Sequence, residues 1–261
     1  MSMITAVGMK TVRIISVVIA IAMLLGSSYV LWDMWHDEMS AFSTYDMLQY
    51  RPNVENGEPA TLEEIKAIND DARAWLTIYK THVDYPVMQG KTDLEYINKT
   101  PLGKTAPTGS IYLATENNAF FKDRYNLVYG HHMNNGAMFG DIVKYSKRDF
   151  FNNHKKGILI TEDKIYDIEV FAYMKTSAYD SKIYNSSQIT NKPQLDEFLK
   201  YIKGKSKYFV KLNDIEKVIA FSTCDDSLTD GRSVLFAKLS KHTGPFEQYE
   251  EKKNRLQRLK R

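Results

Sequence analysis

Residues 217–239 read KVIAFSTCDDSLTDGRSVLFAKL and contain two apolar runs separated by a polar loop. Both runs are rich in Val, Ile, Phe and Leu and are bounded by turn residues, which predicts two β-strands. Cys224, the only cysteine of the chain, ends the first run, and Arg232 opens the second. If the strands pair antiparallel, these two side chains lie at the same end of neighbouring strands. Because a nearby cation favours the thiolate, the pair is a candidate nucleophile site.

A histidine partner for this thiol is predicted in residues 127–139, LVYGHHMNNGAMF, where a short apolar run ends and His131 and His132 follow. Adjacent residues of an extended segment point to opposite sides, so only one of the two histidines can face Cys224 directly. The residues alone favour neither. An inert buried cysteine and a surface histidine pair are the alternative interpretation. No metal site is predicted, because the sequence has no C-x-x-C or H-E-x-x-H spacing.

The pattern of apolar residues favours a mainly β fold. Hydrophobic residues make up 43% of the 261 residues, with 17 Tyr and 12 Phe, which suits a folded β-rich chain. From residue 74 onward, short apolar runs alternate with turn residues, and the helical crossovers of a parallel α/β fold are missing. We therefore predict a closed or nearly closed β-barrel over residues 74–245, with short peripheral helices. Residues 33–73 are predicted to form an N-terminal helical segment.

The charge distribution gives no sign of a nucleic-acid partner. The formal net charge is +3, and residues 247–261 alone hold six Lys or Arg and three Glu. The rest of the chain therefore sums to zero and has no basic face of the kind that nucleic-acid binding requires. Residues 246–261 are predicted to be a charged tail with a solvated helical face. Attraction to anionic wall polymers or lipid headgroups is the alternative.

Residues 14–31, IISVVIAIAMLLGSSYVL, contain no charged residue and are about the length that crosses a bilayer as a helix. Lys10 and Arg13 precede this stretch, and acidic residues follow it. Residues 1–32 are therefore predicted to be a cytoplasmic N-terminus and a transmembrane anchor, with the remainder outside the cell. A cleaved signal peptide is the alternative.

The motifs around the candidate site resemble those of a known family. Tyr129-Gly130-His131 and Ser222-Thr223-Cys224, with Arg232 eight positions after the cysteine, resemble the motifs of sortases, the membrane-anchored cysteine transpeptidases of Gram-positive bacteria. The resemblance is to class B in three further stretches: YPVMQGKTDLEYIN (85–98), YGHHMNNGAMFGD (129–141) and the predicted helix 193–202.

This resemblance implies a sortase-type barrel and assigns the catalytic roles to Cys224, His131 and Arg232. It selects His131 over His132, because the family motif takes the first residue after Tyr-Gly. It implies cleavage of a Thr–X bond in the sorting signal of a secreted protein through a thioacyl-enzyme. The acyl group then passes to an amine of a peptidoglycan precursor, and no metal or organic cofactor is needed.

Substrate contacts are predicted at five positions. Ser222 lies two residues before Cys224 and so shares its face of the strand. The resemblance adds Asp93 and Ile97, which match positions near the class B peptide groove, and Ile183 and Tyr184, which match a loop at its wall. Simple packing or solvation is an equal alternative for these four residues.

Three other functions stay open at the level of the sequence. A pilin-polymerising sortase would use a lysine of another protein as the acceptor. A cysteine peptidoglycan hydrolase or amidase would use the same thiol and histidine with water. A membrane-tethered wall-binding module would have an incidental cysteine.

Overall fold

A computed structural model describes residues 3–40, 45–52, 62–224 and 230–243 of the chain. A first compact unit, Met1–Ser40, is separate from the rest of the chain. The predicted tail 246–261 lies outside the described residues, as do positions 225–229 between the two site strands.

The first unit is a single helix, α1 (Met3–Ser40), whose residues Thr11–Trp35 are long and apolar enough to cross a membrane. An 18-residue window within this stretch has a mean hydropathy of 2.4. This stretch includes the predicted span 14–31. The helix continues beyond the predicted boundary at residue 32, because residues 33–40 contain neither proline nor glycine to end it.

In the described part of the chain, nine strands form one sheet. Their order is β5-β1-β2-β3-β4-β8-β9-β6-β7, and an additional β5–β6 pairing closes the first eight into a barrel. The predicted mainly β, closed barrel is therefore confirmed. The strands are β1 (Ala72–Ile78), β2 (Asp84–Met88), β3 (Ile111–Leu113), β4 (Tyr125–Tyr129), β5 (Lys156–Thr161), β6 (Ile165–Ser177), β7 (Tyr208–Phe209), β8 (Val218–Cys224) and β9 (Gly231–Lys241).

Short helices surround the barrel. They are α2 (Tyr45–Leu48), α3 (Glu63–Ile68), α4 (Gly140–Lys144), α5 (Arg148–Asn153), α6 (Ser181–Tyr184) and α7 (Lys192–Lys205), with a 3-10 turn at Ser186–Gln188. The helix predicted at 193–202 is α7, which begins at a capping box formed by Asn191 and Gln194. In this box each side chain satisfies a backbone N–H that the first helical turn leaves without a partner.

The two N-terminal helices of the barrel unit pack on the outer side of β1, β2 and β5. Leu62 and Ile65 are buried there against Trp75 and Ile160. The segment after α2 is also fixed by a buried ion pair, in which Arg51 lies 3.3 Å from Asp84. The predicted helical character of residues 33–73 therefore corresponds to the end of α1, to α2 and to α3, with residues 53–61 outside the described part.

Alternation along the strands divides the buried residues into an inner and an outer core. Ile219 and Phe221 of β8 belong to the inner core inside the barrel. Ala220 belongs to an outer core, which is covered by Phe198 and Ile202 of α7. Because successive side chains of a strand point to opposite faces, Ser222 and Cys224 lie on the outer face as well.

Candidate active site

Cys224 and Arg232 are direct neighbours across two antiparallel strands. The register of β8 and β9 pairs Cys224 with Arg232 and Ser222 with Val234. The predicted antiparallel pairing, with both side chains at the same end, is therefore confirmed. The thiol is free and exposed. The guanidinium is half-buried, and its Nη1 donates to the Gly231 carbonyl at 2.8 Å.

The register of β4 and β8 brings the histidine segment to the same end of the sheet. These strands are parallel, with Tyr129 paired to Ser222, and the Gly130 N–H donates to the Ser222 carbonyl at 3.1 Å. The same offset continued by two residues aligns His131 with Cys224. If the extended conformation continued beyond the end of β4 at Tyr129, His131 would lie on the face of Tyr129 and His132 on the opposite face. On this extrapolation His131 is the candidate partner of the thiol.

The loop 131–140 holds the histidine through a small number of backbone bonds. The Phe139 N–H donates to the His131 carbonyl at 3.0 Å, and His132 forms a β-bridge with Met138. Met138 has a left-handed φ of 51°, and its N–H donates to the Tyr85 hydroxyl at 3.0 Å. Because a left-handed backbone is unfavourable for methionine, this bond to a buried tyrosine stabilises a conformation that the loop would otherwise leave.

Two other features hold the end of this loop. A Cβ on Gly140 would overlap the Met133 carbonyl, so only glycine fits this close approach. The buried Asp141 carboxylate accepts from the His82 N–H at 2.8 Å and pairs with Lys144 at 2.7 Å. The loop is thus joined to the β1–β2 turn by a charged group that water does not reach.

His131 is an exposed residue, but partial removal of its ring from water lowers its pKa, and the neighbouring His132 lowers it further. Partial removal from water disfavours the charged imidazolium, and a second positive group adds to that effect. A neutral imidazole can accept a proton from a thiol or an amine. The protonated form is a stronger acid than an ordinary histidine.

Tyr184 and Ser222 touch at the wall of the site. The Tyr184 hydroxyl lies 2.9 Å from Ser222 Oγ, and its ring stacks on Tyr129 at 6.3 Å with an angle of 10° between planes. Burial raises the pKa of Tyr184 to about 12. The phenol therefore stays protonated and can donate a hydrogen bond at neutral pH.

Tyr112 and Tyr129 lie beside the candidate residues, although the sequence predicted no site role for Tyr112 and marked Tyr129 only as part of the motif before His131. Their rings are 5.2 Å apart. Burial, with smaller contributions from the charges of Asp93 and Cys224, raises the pKa of Tyr112 to about 12. Two sequence features could have indicated these tyrosines as site residues. Tyr129 directly precedes Gly130, and Tyr112 lies between two apolar residues of β3, which are buried.

The remaining predicted contacts differ in where they lie. The Asp93 carboxylate accepts from the Thr115 N–H at 2.7 Å and is close enough to Tyr112 to affect its pKa. Ile97 is 41% exposed, and none of the described contacts joins it to Cys224 or Ser222.

Ile183 departs from the expected position in the groove. Its side chain has 0% exposure within the outer core, and its carbonyl accepts from the Tyr125 hydroxyl at 3.0 Å. A buried side chain cannot reach a peptide in the groove, so Ile183 supports the wall from behind.

In the described part of the chain, no three His, Cys, Asp or Glu side chains are grouped closely enough to hold a metal ion. The reactive groups at this end of the sheet are a thiol, an imidazole, a guanidinium and several hydroxyls.

Comparison with known proteins identifies the group to which these features correspond. The family model described as the sortase domain matches residues 76–240. Sortase B of Listeria monocytogenes is 31% identical over 189 residues, which cover 70% of this chain and 76% of that protein.

Solved structures agree with the sequence comparison. A class B sortase of Streptococcus pyogenes involved in pilus biogenesis has a TM-score of 0.63 and 37% identity, covering 68% of this chain and 97% of that chain. Staphylococcus aureus sortase B has a TM-score of 0.63 and 29% identity, covering 69% of this chain and 87% of that chain.

Proposed function

This chain belongs to the sortases, and among them to class B, a group of cysteine transpeptidases. From that premise we propose that Cys224 is its nucleophile and His131 its general acid and base. We propose that Arg232 is the cation that stabilises the oxyanion. The observation that carries the proposal is the register of three adjacent strands. Cys224 pairs with Arg232 across β8 and β9. The β4–β8 register, continued by two residues, aligns His131 with the thiol.

The first step is attack of the Cys224 sulfur on the carbonyl carbon of a Thr–X bond in a sorting signal. The lowered pKa of His131 favours neutral imidazole at rest, which takes the thiol proton as the carbon–sulfur bond forms. The resulting imidazolium then donates that proton to the leaving amine as the carbon–nitrogen bond breaks. The product of this step is a thioacyl-enzyme and a released C-terminal fragment.

The second step restores the enzyme. An amine attacks the thioester carbonyl, neutral His131 takes the amine proton, and the thiolate leaves and is reprotonated by the imidazolium. A thioester is reactive enough to transfer its acyl group to an amine. The balance of the two steps needs no oxidant, reductant or metal.

Arg232 is proposed to stabilise the negative charge that develops on the carbonyl oxygen in both steps. Its guanidinium is always charged and presents a planar set of donors, and one of these is fixed on the Gly231 carbonyl. Removing one such donor from an acyl-transfer site costs about 10²- to 10³-fold in rate.

The sorting-signal peptide is proposed to lie on the outer side of the barrel at the ends of β4 and β8, near Tyr129 and Cys224. Tyr184 presents its hydroxyl there, Asp93 lies beside Tyr112, and Ile97 offers an exposed apolar side chain. Ser222 and Ile183 are 2% and 0% exposed, so we propose that they support the site from within, Ser222 through its bond to the Tyr184 hydroxyl.

The acceptor is proposed to be an amine of a peptidoglycan precursor, so that the product is a protein joined to the cell wall. A second candidate is a lysine of another protein, which would make the enzyme a pilin polymerase. That candidate is favoured by the 37% identity to a class B sortase involved in pilus biogenesis.

The N-terminal helix is proposed to anchor the enzyme with residues 1–10 inside the cell and the barrel on the outer side. Thr11–Trp35 have the length and composition of a membrane span. Lys10 and Arg13, which precede the uncharged residues 14–31, are of the kind retained on the cytoplasmic side.

The proposal is tested with the full chain in detergent micelles. We would incubate it with peptides that vary around a Thr–X bond, with triglycine, with a lysine-containing peptide or with no amine, and record intact-protein mass spectra. We expect an acyl adduct on Cys224 that disappears when the preferred amine is added. Transfer to triglycine but not to the lysine peptide supports the wall precursor, and the reverse result supports pilin polymerisation.

Two outcomes would contradict the proposal. If the folded protein, with a free thiol, forms no adduct with any peptide, the transpeptidase assignment to this site is wrong. If adducts form but are released only by water, whichever amine is present, the chain acts as a hydrolase.

A further inference from the structure

The carboxylate of Asp180, beside the proposed groove, does not cap the helix that it precedes. Asp180 is the residue before α6, where an aspartate usually accepts a backbone N–H of the first helical turn. Its side chain makes no such bond. Its carbonyl accepts from the N–H groups of Ile183 at 2.9 Å and Tyr184 at 3.0 Å. The carboxylate is therefore available for another task.

That carboxylate joins a barrel strand to the longest helix of the barrel unit. The same oxygen, Asp180 Oδ2, accepts from Thr176 Oγ1 at 2.6 Å and from the Tyr201 hydroxyl at 2.7 Å. Hydroxyl bonds to a charged oxygen are short and about twice as strong as neutral ones. Thr176 belongs to β6 and pairs with Arg232, and Tyr201 belongs to α7.

The Tyr201 side of this connection is rigid. Leu195, Phe198 and Ile202 of α7 are buried in the outer core. Burial and the bond to Asp180 raise the pKa of Tyr201 to about 12, so the hydroxyl remains a donor at neutral pH. The Lys182 ammonium lies 5.2 Å from the centre of the Tyr201 ring and adds a second contact between α6 and α7.

The far end of the same segment reaches the catalytic strand. Tyr184, the last residue of α6, meets Ser222 through their hydroxyls, and Ser222 lies two residues before Cys224. The Tyr125 hydroxyl of β4 donates to the Ile183 carbonyl and so fixes the residue before Tyr184. Asp180 and Tyr184 are therefore the two ends of one short wall, fixed at one end to α7 and at the other to β8.

We propose that Asp180 is a positioning residue that holds Tyr184 against Ser222 and thereby sets the affinity of the groove for the sorting-signal peptide. This inference rests on the proposed function, because it concerns the peptide that the same site would bind. A helix of four residues cannot hold its own conformation, since nucleation costs more than one turn of bonds returns. Held in place beforehand, the wall does not have to be ordered when the peptide binds, which strengthens binding.

The test compares Asp180→Ala with Asp180→Asn in the full chain, in micelles. Loss of both hydroxyl bonds in Asp180→Ala is expected to raise KM for the peptide about five- to tenfold, with kcat changed less than about twofold. Asp180→Asn keeps an acceptor oxygen, so its KM is expected to stay within about threefold of the wild-type value. Alkylation of Cys224 by iodoacetamide does not use the groove and should proceed at the wild-type rate in both variants.

A matched pair of tyrosine variants gives a milder version of the same test. Tyr201→Phe removes one of the two donors to Asp180 and should raise KM about two- to threefold. Tyr208→Phe removes another half-buried hydroxyl, which donates to the Ser146 carbonyl at 3.2 Å and does not contact the wall. It should leave KM unchanged. These variants keep the inference testable if Asp180→Ala does not fold.

The inference is overturned if KM is unchanged in both Asp180→Ala and Tyr201→Phe. It is also overturned if the KM of Asp180→Asn rises as much as that of Asp180→Ala, or if the rise in KM is accompanied by a fall in kcat and in the rate of thiol alkylation. These results differ from failure of the proposed function itself, in which the wild-type protein forms no acyl adduct.

Discussion

Cys224 and His131 are held in place by different means. Cys224 ends a strand that is paired with β9 along its whole length and with β4 as far as Ser222. His131 follows the end of β4 and is held by a loop, through the Phe139 N–H and the bond from Met138 to Tyr85. One partner of the proposed pair therefore depends on many bonds, and the other depends on a few.

This difference predicts how each side responds to change. A ladder distributes its hydrogen bonds over many residues, so the loss of one bond moves the strand little. The histidine loop contains a methionine with a left-handed backbone, whose N–H is held by one buried hydroxyl, so the loss of that one bond is not shared among other bonds. Small changes on the histidine side should therefore alter the rate more than equal changes on the cysteine side.

The largest effects are expected from the two proposed catalytic side chains. Cys224→Ala and His131→Ala should each lower transpeptidation by about 10⁴-fold or more, since neither proton transfer nor acylation can proceed. His132→Ala should stay within about threefold of the wild-type rate, because that side chain points to the other face. The measurement is steady-state transfer of a peptide to an amine. A fully active His131→Ala enzyme would exclude it as the base.

Arg232→Lys comes next and tests the cysteine side. Lysine keeps the charge but replaces the planar donor set with a single ammonium group, so kcat should fall about 100-fold with little change in KM. Single-turnover acylation, followed by mass spectrometry, separates this from an effect on peptide binding. A turnover near the wild-type value would mean that charge alone is sufficient at this position.

Tyr85→Phe tests the histidine loop, and a smaller loss is expected. The change removes the acceptor of the Met138 N–H and leaves a buried donor without that partner, so kcat should fall about three- to tenfold. Tyr145→Phe is the matched control. It also removes a buried tyrosine hydroxyl, which donates to the His154 carbonyl at 2.6 Å, but leaves the loop bonds intact.

The proposed difference between the loop-held histidine and the strand-held cysteine is contradicted if Tyr85→Phe and Tyr145→Phe have the same kcat. That result would mean that the loop keeps His131 in position without the tyrosine, and that the histidine side is as robust as the strand. Equal melting temperatures for the two variants would assign a difference in kcat to position rather than to stability.

The strand-held half of the site could be predicted from the residue pattern, whereas the loop-held half needed the family resemblance. Two apolar runs bounded by turn residues predicted β8 and β9, and antiparallel pairing then brought Cys224 and Arg232 together. Periodicity carries this information because alternation fixes the face of every strand residue. The choice of His131 over His132 came from the family resemblance, because the residue pattern alone favoured neither. The parallel register between β4 and β8 is a long-range feature that no local pattern contains.

The orientation of the side chains in the predicted groove wall could not be predicted, for a related reason. Ile183 and Tyr184 are adjacent, but one is buried in the outer core and the other meets Ser222. Their orientations depend on Asp180 and on Tyr201, which is 21 positions away. Contacts of this kind are set by tertiary packing, so a motif can mark the segment without telling which side chain faces the substrate.

The smallest expected effect concerns pH and returns to the histidine loop. Burial, with a further contribution from His132, lowers the pKa of His131 in the folded chain. In the unfolded chain its pKa returns to about 6.5, so the unfolded state binds more protons as pH falls below that value. His131 should therefore not affect stability above this pH, and it should destabilise the barrel as pH falls from there towards its folded-state pKa.

The measurement is urea unfolding of the full chain in micelles between pH 5 and 8, for the wild type and His131→Gln. The wild type should lose stability more steeply than the variant on the acidic side, and the two curves should run parallel on the alkaline side. Parallel curves throughout would mean that the loop leaves His131 as hydrated as it is in the unfolded chain. The contrast with the strand-held cysteine would then concern position alone, because the loop would have no electrostatic effect on the histidine it holds.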